Sequence, residues 1–128
     1  MKRVYTAARY AFNLRCLLLL SFFLAFPSYA DNTLARQCFN AGDYVCAQKR
    51  WLPLAQSGDK VAQFYLAQLY QRGLGVTEDV QLAGGWYLKA AEQGLLEAQN
   101  NLAVLYEKGD GLAPDIQKSI GWYTRAAE

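Results

Sequence analysis

A block of sequence running from Ala62 to Glu92 returns at Ala98 to Glu128, displaced by 36 residues. Gln63, Leu66, Ala67, Leu69 and Tyr70 recur as Gln99, Leu102, Ala103, Leu105 and Tyr106. Gly73, Gly75, Asp79 and Gly85 recur as Gly109, Gly111, Asp115 and Gly121. Trp86-Tyr87 and Ala90-Ala91-Glu92 recur as Trp122-Tyr123 and Ala126-Ala127-Glu128. A fixed period in this range is the signature of stacked supersecondary units, each of which buries its apolar face only against a neighbour. Leu66, Leu69 and Tyr70 at i, i+3 and i+4 make one apolar stripe of a helix that opens near Asp59 and stops at Gly73. After a loop through Gly75, Asp79 stands where a carboxylate caps the free amides of a second helix. That helix runs through Trp86 and Tyr87 to Gln93 and ends at Gly94. No segment alternates with the period of a strand, so the expected fold is an all-α array of helical hairpins.

The segment before the repeats reads as a compressed hairpin. Leu34, Ala35 and Cys38 take the places of Leu66, Ala67 and Tyr70, Gly42 turns the chain, and Asp43 is the next cap. Pro53 falls inside its second helix, where the missing amide should kink or loosen the turn near Lys49 at a cost of ~3 kcal/mol unless the bend is built into the packing. The pattern Ala-x-x-x-Leu-Ala-x-Leu-Tyr-x-x-Gly-x-Gly-x-x-x-Asp, followed by Trp-Tyr-x-x-Ala-Ala-Glu, resembles the Sel-one-like repeat (SLR) family, relatives of the tetratricopeptide repeats. The resemblance covers Val61 to Glu128 fully and Leu34 to Gly58 in shortened form. It implies a short right-handed α-α superhelix, and for function an adaptor, since members of the family bind unrelated partners. The expected organisation is a leader at 1–30, a short hairpin at 31–58, and repeats at 59–94 and 95–128.

Lys2, Arg3, Arg9 and Arg15 precede an apolar core, Cys16 to Phe26, and Ser28-Tyr29-Ala30 ends on small residues. This is the plan of an export signal cleaved before Asp31. The apolar core is far shorter than the ~20 residues of a membrane-spanning helix, which leaves an uncleaved anchor as the alternative. Cys16 opens the core instead of following it, which argues against a lipid anchor. Four of the 13 basic residues and none of the 11 acidic ones lie in the leader, so the remainder is mildly acidic. No basic patch interleaved with aromatics is left to track phosphates, and nucleic acid is a poor partner. The expected location is periplasmic or secreted.

Cys38 and Cys46 are the cysteines that remain after the leader. Export to an oxidising compartment favours a bond between them, and two buried, reduced thiols are the alternative. Cysteine-rich relatives tie helices with pairs eight apart, so the resemblance also implies the bond. The spacing is not that of a redox or zinc motif, and the chain has no histidine. The usual general base and the Ser-His and Cys-His pairs are therefore missing. Asp79, Asp115, Glu92 and Glu128 recur at the repeat offset, as residues used once for chemistry would not, and read as caps and helix-end charges. Gly73-x-Gly75 and Gly109-x-Gly111 follow no strand and lack a third glycine, so they read as turns, not phosphate loops. Trp86, Tyr87, Trp122 and Tyr123 beside small alanines read as packing between repeats. No catalytic residue, cofactor or metal is expected.

Identity and difference between the repeats separate by helical face. On the first helix the matching positions lie largely on one side. The mismatches Val61/Glu97, Phe64/Asn100, Tyr65/Asn101, Gln68/Val104, Gln71/Glu107 and Arg72/Lys108 form a stripe at helical spacing on the other. First helices line the concave side of such arrays, and variation on a shared frame is how these surfaces specialise. Phe64, Tyr65, Gln68, Arg72, Asn101, Val104 and Lys108 are the candidate partner-binding residues, with Phe64-Tyr65 read as an exposed pair. The leading function is an exported adaptor for a protein or peptide in the cell envelope, without catalysis. The alternatives are an envelope stress or signalling regulator that binds a sensor domain, and a weak hydrolase of β-lactam-like or cell-wall substrates, as the resemblance to cysteine-rich relatives suggests. For the hydrolase only Ser57 and Ser119 are available outside the leader, and neither begins a Ser-x-x-Lys motif. The last hairpin should leave bare some of Leu102, Leu105, Ile120, Trp122 and Tyr123, which predicts self-association there or a truncated piece of a longer array.

Overall fold

The computed structural model describes residues 27–128, of which Asp31–Glu128 make up the helical unit. The leader expected at 1–30 lies outside the described residues, apart from Pro27–Ala30 at the start of the first helix. Six helices follow in order: α1 Pro27–Asn40, α2 Tyr44–Gln56, α3 Lys60–Arg72, α4 Val80–Glu92, α5 Leu96–Lys108 and α6 Ile116–Ala127. The described residues contain no strand, and the architecture is an all-α helical-repeat solenoid.

Aspartates set the helix starts. Asp43, Asp59, Asp79 and Asp115 accept the amides of Cys46, Ala62, Leu82 and Lys118 at 2.8–3.0 Å. Each such cap contributes about 1 kcal/mol. Asp59 uses its second oxygen to accept from Asn32 of α1 at 2.9 Å. In α5 the corresponding position is Leu95, and no side chain caps that helix. The amides of Asp43, Asp79 and Asp115 donate back to Cys38, Tyr70 and Tyr106 carbonyls, each at 2.9 Å. All three hairpins therefore close on one plan, although residues 41–43 do in the first what 73–79 and 109–115 do in the others. The first hairpin also carries the Cys38–Cys46 disulfide, with Cα atoms 5.8 Å apart, joining α1 to α2.

Two glycines do more than turn the chain. A Cβ on Gly75 would stand 2.7 Å from the Tyr44 carbonyl carbon, and one on Gly111 would stand 2.5 Å from the Val80 Cβ. Each loop is thus laid directly on the start of the preceding hairpin's second helix, and Leu112 follows by packing against Gly84. Sequence alone identifies the turns and does not reveal this contact between units.

The core forms two neighbouring clusters, one around Trp51, Leu66 and Leu69 and one around Tyr87, Leu102 and Leu105. Trp86 packs against both. Buried Gln63 and Gln99 donate to the carbonyls of Ala55 and Ala91, each at 3.1 Å, pinning the first helix of each repeat to the end of the helix before it. An unpaired amide at that depth would cost about 1–3 kcal/mol.

The open face at the last hairpin is confined to part of the expected set, Ile120 and Tyr123. Leu102 and Leu105 belong to the core instead of a bare terminal face, Trp122 is half-buried against the core, and the residues left open on α6 are Ile116, Ile120 and Tyr123. Pro53 lies inside α2, and the helix continues past it to Gln56. Pro53 and Lys49 both face solvent, so water can satisfy the carbonyl that the missing amide leaves free.

Candidate functional site

Burial divides α3 and α5 along the line that sequence identity draws. The shared residues Ala62, Gln63, Leu66, Ala67 and Leu69, and their counterparts Ala98, Gln99, Leu102, Ala103 and Leu105, are buried; Tyr70 and Tyr106 are half-buried. No residue of the varying stripe is buried. Gln68, Asn101 and Val104 are half-buried, and Arg72 and Lys108 are exposed. Variation is thus confined to the side of each first helix that solvent or a partner can reach.

Phe64 and Tyr65 depart from the expectation of an exposed pair, because both are half-buried in a chain of rings. Tyr65 stacks on Trp51 with centroids 4.6 Å apart and planes 5° from parallel. Phe64 meets Tyr65 edge-on at 5.3 Å and reaches Tyr87 at 5.8 Å. Phe39 of α1 lies 5.9 Å from Tyr65, and the Arg36 guanidinium stands 5.7 Å above the Tyr65 ring. Contacts of this kind contribute about 0.5–1.5 kcal/mol each beyond area burial. The pair is a packed shelf whose outer side remains accessible.

At the end of α3 the structure gathers residues from three helices. The Tyr87 ring is wholly buried in α4, and its hydroxyl donates to Gln71 Oε1 at 2.8 Å. Burial pushes the Tyr87 phenol up to about 12, opposed by the Asn101 side chain of α5 and the Arg72 guanidinium, which act on the same hydroxyl. Sequence reasoning places Arg72 and Asn101 in the site but gives Tyr87 only a packing role and leaves Gln71 out. The signal for Gln71 is present in the mismatch Gln71/Glu107. In the second repeat the same arrangement recurs with a carboxylate: Tyr123 donates to Glu107 Oε2 at 3.4 Å, and desolvation together with Glu107 raises its phenol pKa.

Other polar clusters are committed to structure. Ser57 donates to the Leu54 carbonyl at 2.8 Å at the end of α2, and Ser119 is buried in α6. A surface cavity of about 380 Å³ at the start of α2 is lined by Asp43, Val45, Cys46, Lys49 and Arg50. Its one carboxylate already caps α2. Gly73 and Gly109 end α3 and α5, Asp79 and Asp115 cap α4 and α6, and Trp86 and Trp122 pack against the core. Lys89 over Trp86 at 4.4 Å and Arg125 over Trp122 at 4.7 Å are repeat-equivalent cation–π pairs.

The Sel1 repeat pattern matches residues 60–95 and 96–128. A Sel1 repeat protein from Oxalobacter formigenes is similar in structure, with a TM-score of 0.72 at 35% identity, over 75% of this chain and 40% of that one. The protein c5321, a protective antigen present in uropathogenic Escherichia coli strains and displaying an SLR fold, is similar with a TM-score of 0.76 at 32% identity. That likeness covers 86% of this chain and 24% of that one. The chain therefore spans less than half the length of either. No curated protein matches it at a significant level. The repeat pattern, the hairpin geometry and these likenesses agree: the chain belongs to the Sel1 repeat family.

Proposed function

We propose that this chain is an exported helical-repeat adaptor that binds a protein or peptide in the cell envelope through the accessible face of α3 and α5, without catalysis. The observation that carries the reading is the coincidence of sequence variation with accessibility on the first helices. A frame held constant and buried, with a variable outer face, suits recognition. The leader and the Cys38–Cys46 bond support an oxidising destination. Among the described residues no helix is long and apolar enough to cross a membrane. Both serines outside the leader have structural positions, which weighs against the hydrolase alternative.

The test is capture from envelope extract by the wild-type chain and by two variants. Arg72→Glu with Val104→Asp should lose the captured protein, and Gln81→Glu on the outer side of α4 should keep it. Equal capture by both variants would place recognition elsewhere.

The reading includes self-association through α6. Ile116, Ile120 and Tyr123 correspond to Val80, Gly84 and Tyr87, which α5 and the Gly111-Leu112 loop cover in the preceding hairpin. On α6 the first two are about half exposed, at 55% and 54%. Sedimentation should show a concentration-dependent dimer that Ile120→Lys abolishes. A monomer at all concentrations that binds no hydrophobic dye would contradict it.

A further inference from the structure

The accessible face is chemically uneven, and the two repeats supply their own comparison. Behind each first helix a tyrosine hydroxyl from the second helix comes forward to the side chain one place before the final basic residue. In the second repeat that side chain is the carboxylate Glu107, and Lys108 follows it in the chain. In the first it is Gln71, followed by Arg72. Because the Tyr87 hydroxyl donates to Gln71 Oε1, the amide nitrogen of Gln71 remains a donor for something else. Asn101 and Arg72 bear on the same spot.

The first corner is therefore a cluster of donors with an uncompensated positive charge. Helix α3 contains no acidic residue, and the one ion pair among the described residues is Lys118–Asp115 in α6. Next to the corner lies the ring shelf of Phe64 and Tyr65, and Arg36, a second exposed cation, stands over Tyr65 on its α1 side. Arg36 thus borders the apolar shelf, and Arg72 lies about two helical turns further along α3 from it.

We propose that the α1–α3 part of the face binds a peptide segment carrying two acidic side chains on either side of an apolar one. One carboxylate is held at Arg72, Gln71 and Asn101, the other at Arg36, and the apolar side chain lies on Phe64 and Tyr65. This rests on the reading that partners bind the first-helix face. Guanidinium–carboxylate bonds are charge-assisted and can be bidentate, and they strengthen beside rings that exclude water. Two cations apart from one another suit two carboxylates, and we take both to be side chains of an internal segment, which peptides blocked at both ends test directly.

The experiment selects binders to the isolated chain from a random peptide library, then measures affinities of the selected sequences as synthetic peptides with both ends blocked. The expected binders carry Asp or Glu flanking Phe, Leu, Ile, Val or Trp. Their affinity should fall tenfold or more in Gln71→Glu, which gives the first corner the carboxylate of the second, and likewise in Arg72→Gln. Glu107 occupies the equivalent place in the same fold, so Gln71→Glu should leave the melting curve unchanged and the loss can be assigned to charge. Binders without acids, acidic binders indifferent to Gln71→Glu, or binding that needs a free C-terminal carboxylate would each overturn the inference. If acid-free binders are still lost with Val104→Asp, only this inference falls. If binders ignore both substitutions, or none is selected, the first-helix reading falls with it.

Discussion

Replacing Gly111 by alanine tests how the hairpins stack. Gly111 has φ +73°, and an added Cβ would lie 2.5 Å from the Val80 Cβ and 3.1 Å from the Val80 carbonyl carbon. The left-handed conformation alone costs a residue with a Cβ about 1–2 kcal/mol. The narrower choice in the unfolded chain returns about 0.4–1 kcal/mol. Gly94 is the internal control: its φ is +81°, and a Cβ added there would meet nothing within 4 Å. Gly94→Ala should therefore cost about 1 kcal/mol. Gly111→Ala adds a clash that must push the loop off α4, and overpacking of this kind costs a further ~1–3 kcal/mol. For a unit of this size each kcal/mol moves the melting midpoint by roughly 4–8 °C. Thermal unfolding followed by far-ultraviolet circular dichroism should place Gly94→Ala a few degrees below wild type and Gly111→Ala at least ~4 °C below that. Coincident melts for the two variants would refute the idea that glycine at 111 is required for close approach between units and not only for turn geometry.

Reduction of Cys38–Cys46, whose partners are eight positions apart, should lower stability by about 2–3 kcal/mol on the chain-entropy view; melting with and without reductant measures it, and an unchanged midpoint contradicts it. Tyr87 predicts an alkaline limit. Its phenol is raised from 10.0 to about 12 in the folded chain, so below pH 10 both states are protonated and its contribution is intact. Between pH 10 and 12 the unfolded state ionises first and stability falls by up to ~2–3 kcal/mol. Tyr87→Phe should lose less stability than wild type over that interval in denaturant titrations, and parallel losses would contradict the assignment.

The period, the caps and the helix ends were legible because each is set locally. Asp43, Asp79 and Asp115 announce helix starts through their own hydrogen bonds, and Gly73 and Gly109 announce helix ends through their φ. The division of α3 and α5 into constant and varying sides was equally legible, since a residue facing another repeat must fit it twice. What sequence could not give is depth across helices. Phe64 and Tyr65 look exposed in α3 alone, and are covered because Trp51 and Tyr87 come from α2 and α4. The role of Gly75 and Gly111 in stacking was hidden for the same reason, since Tyr44 and Val80 belong to the preceding hairpins, far away along the chain. Gln71 was passed over because its meaning depends on a hydroxyl that emerges from behind the helix.

The most direct test of the central claim is a photo-crosslinker placed singly at Gln68, Val104 and Lys108 on the first-helix side and at Gln81, Leu82 and Glu92 on the second helix of the first repeat. All six are accessible in the structure. On irradiation in cells, one specific adduct should form from the first three positions and none from the second three. Adducts of equal yield from both sets, or from the second set alone, would contradict recognition through the face of α3 and α5.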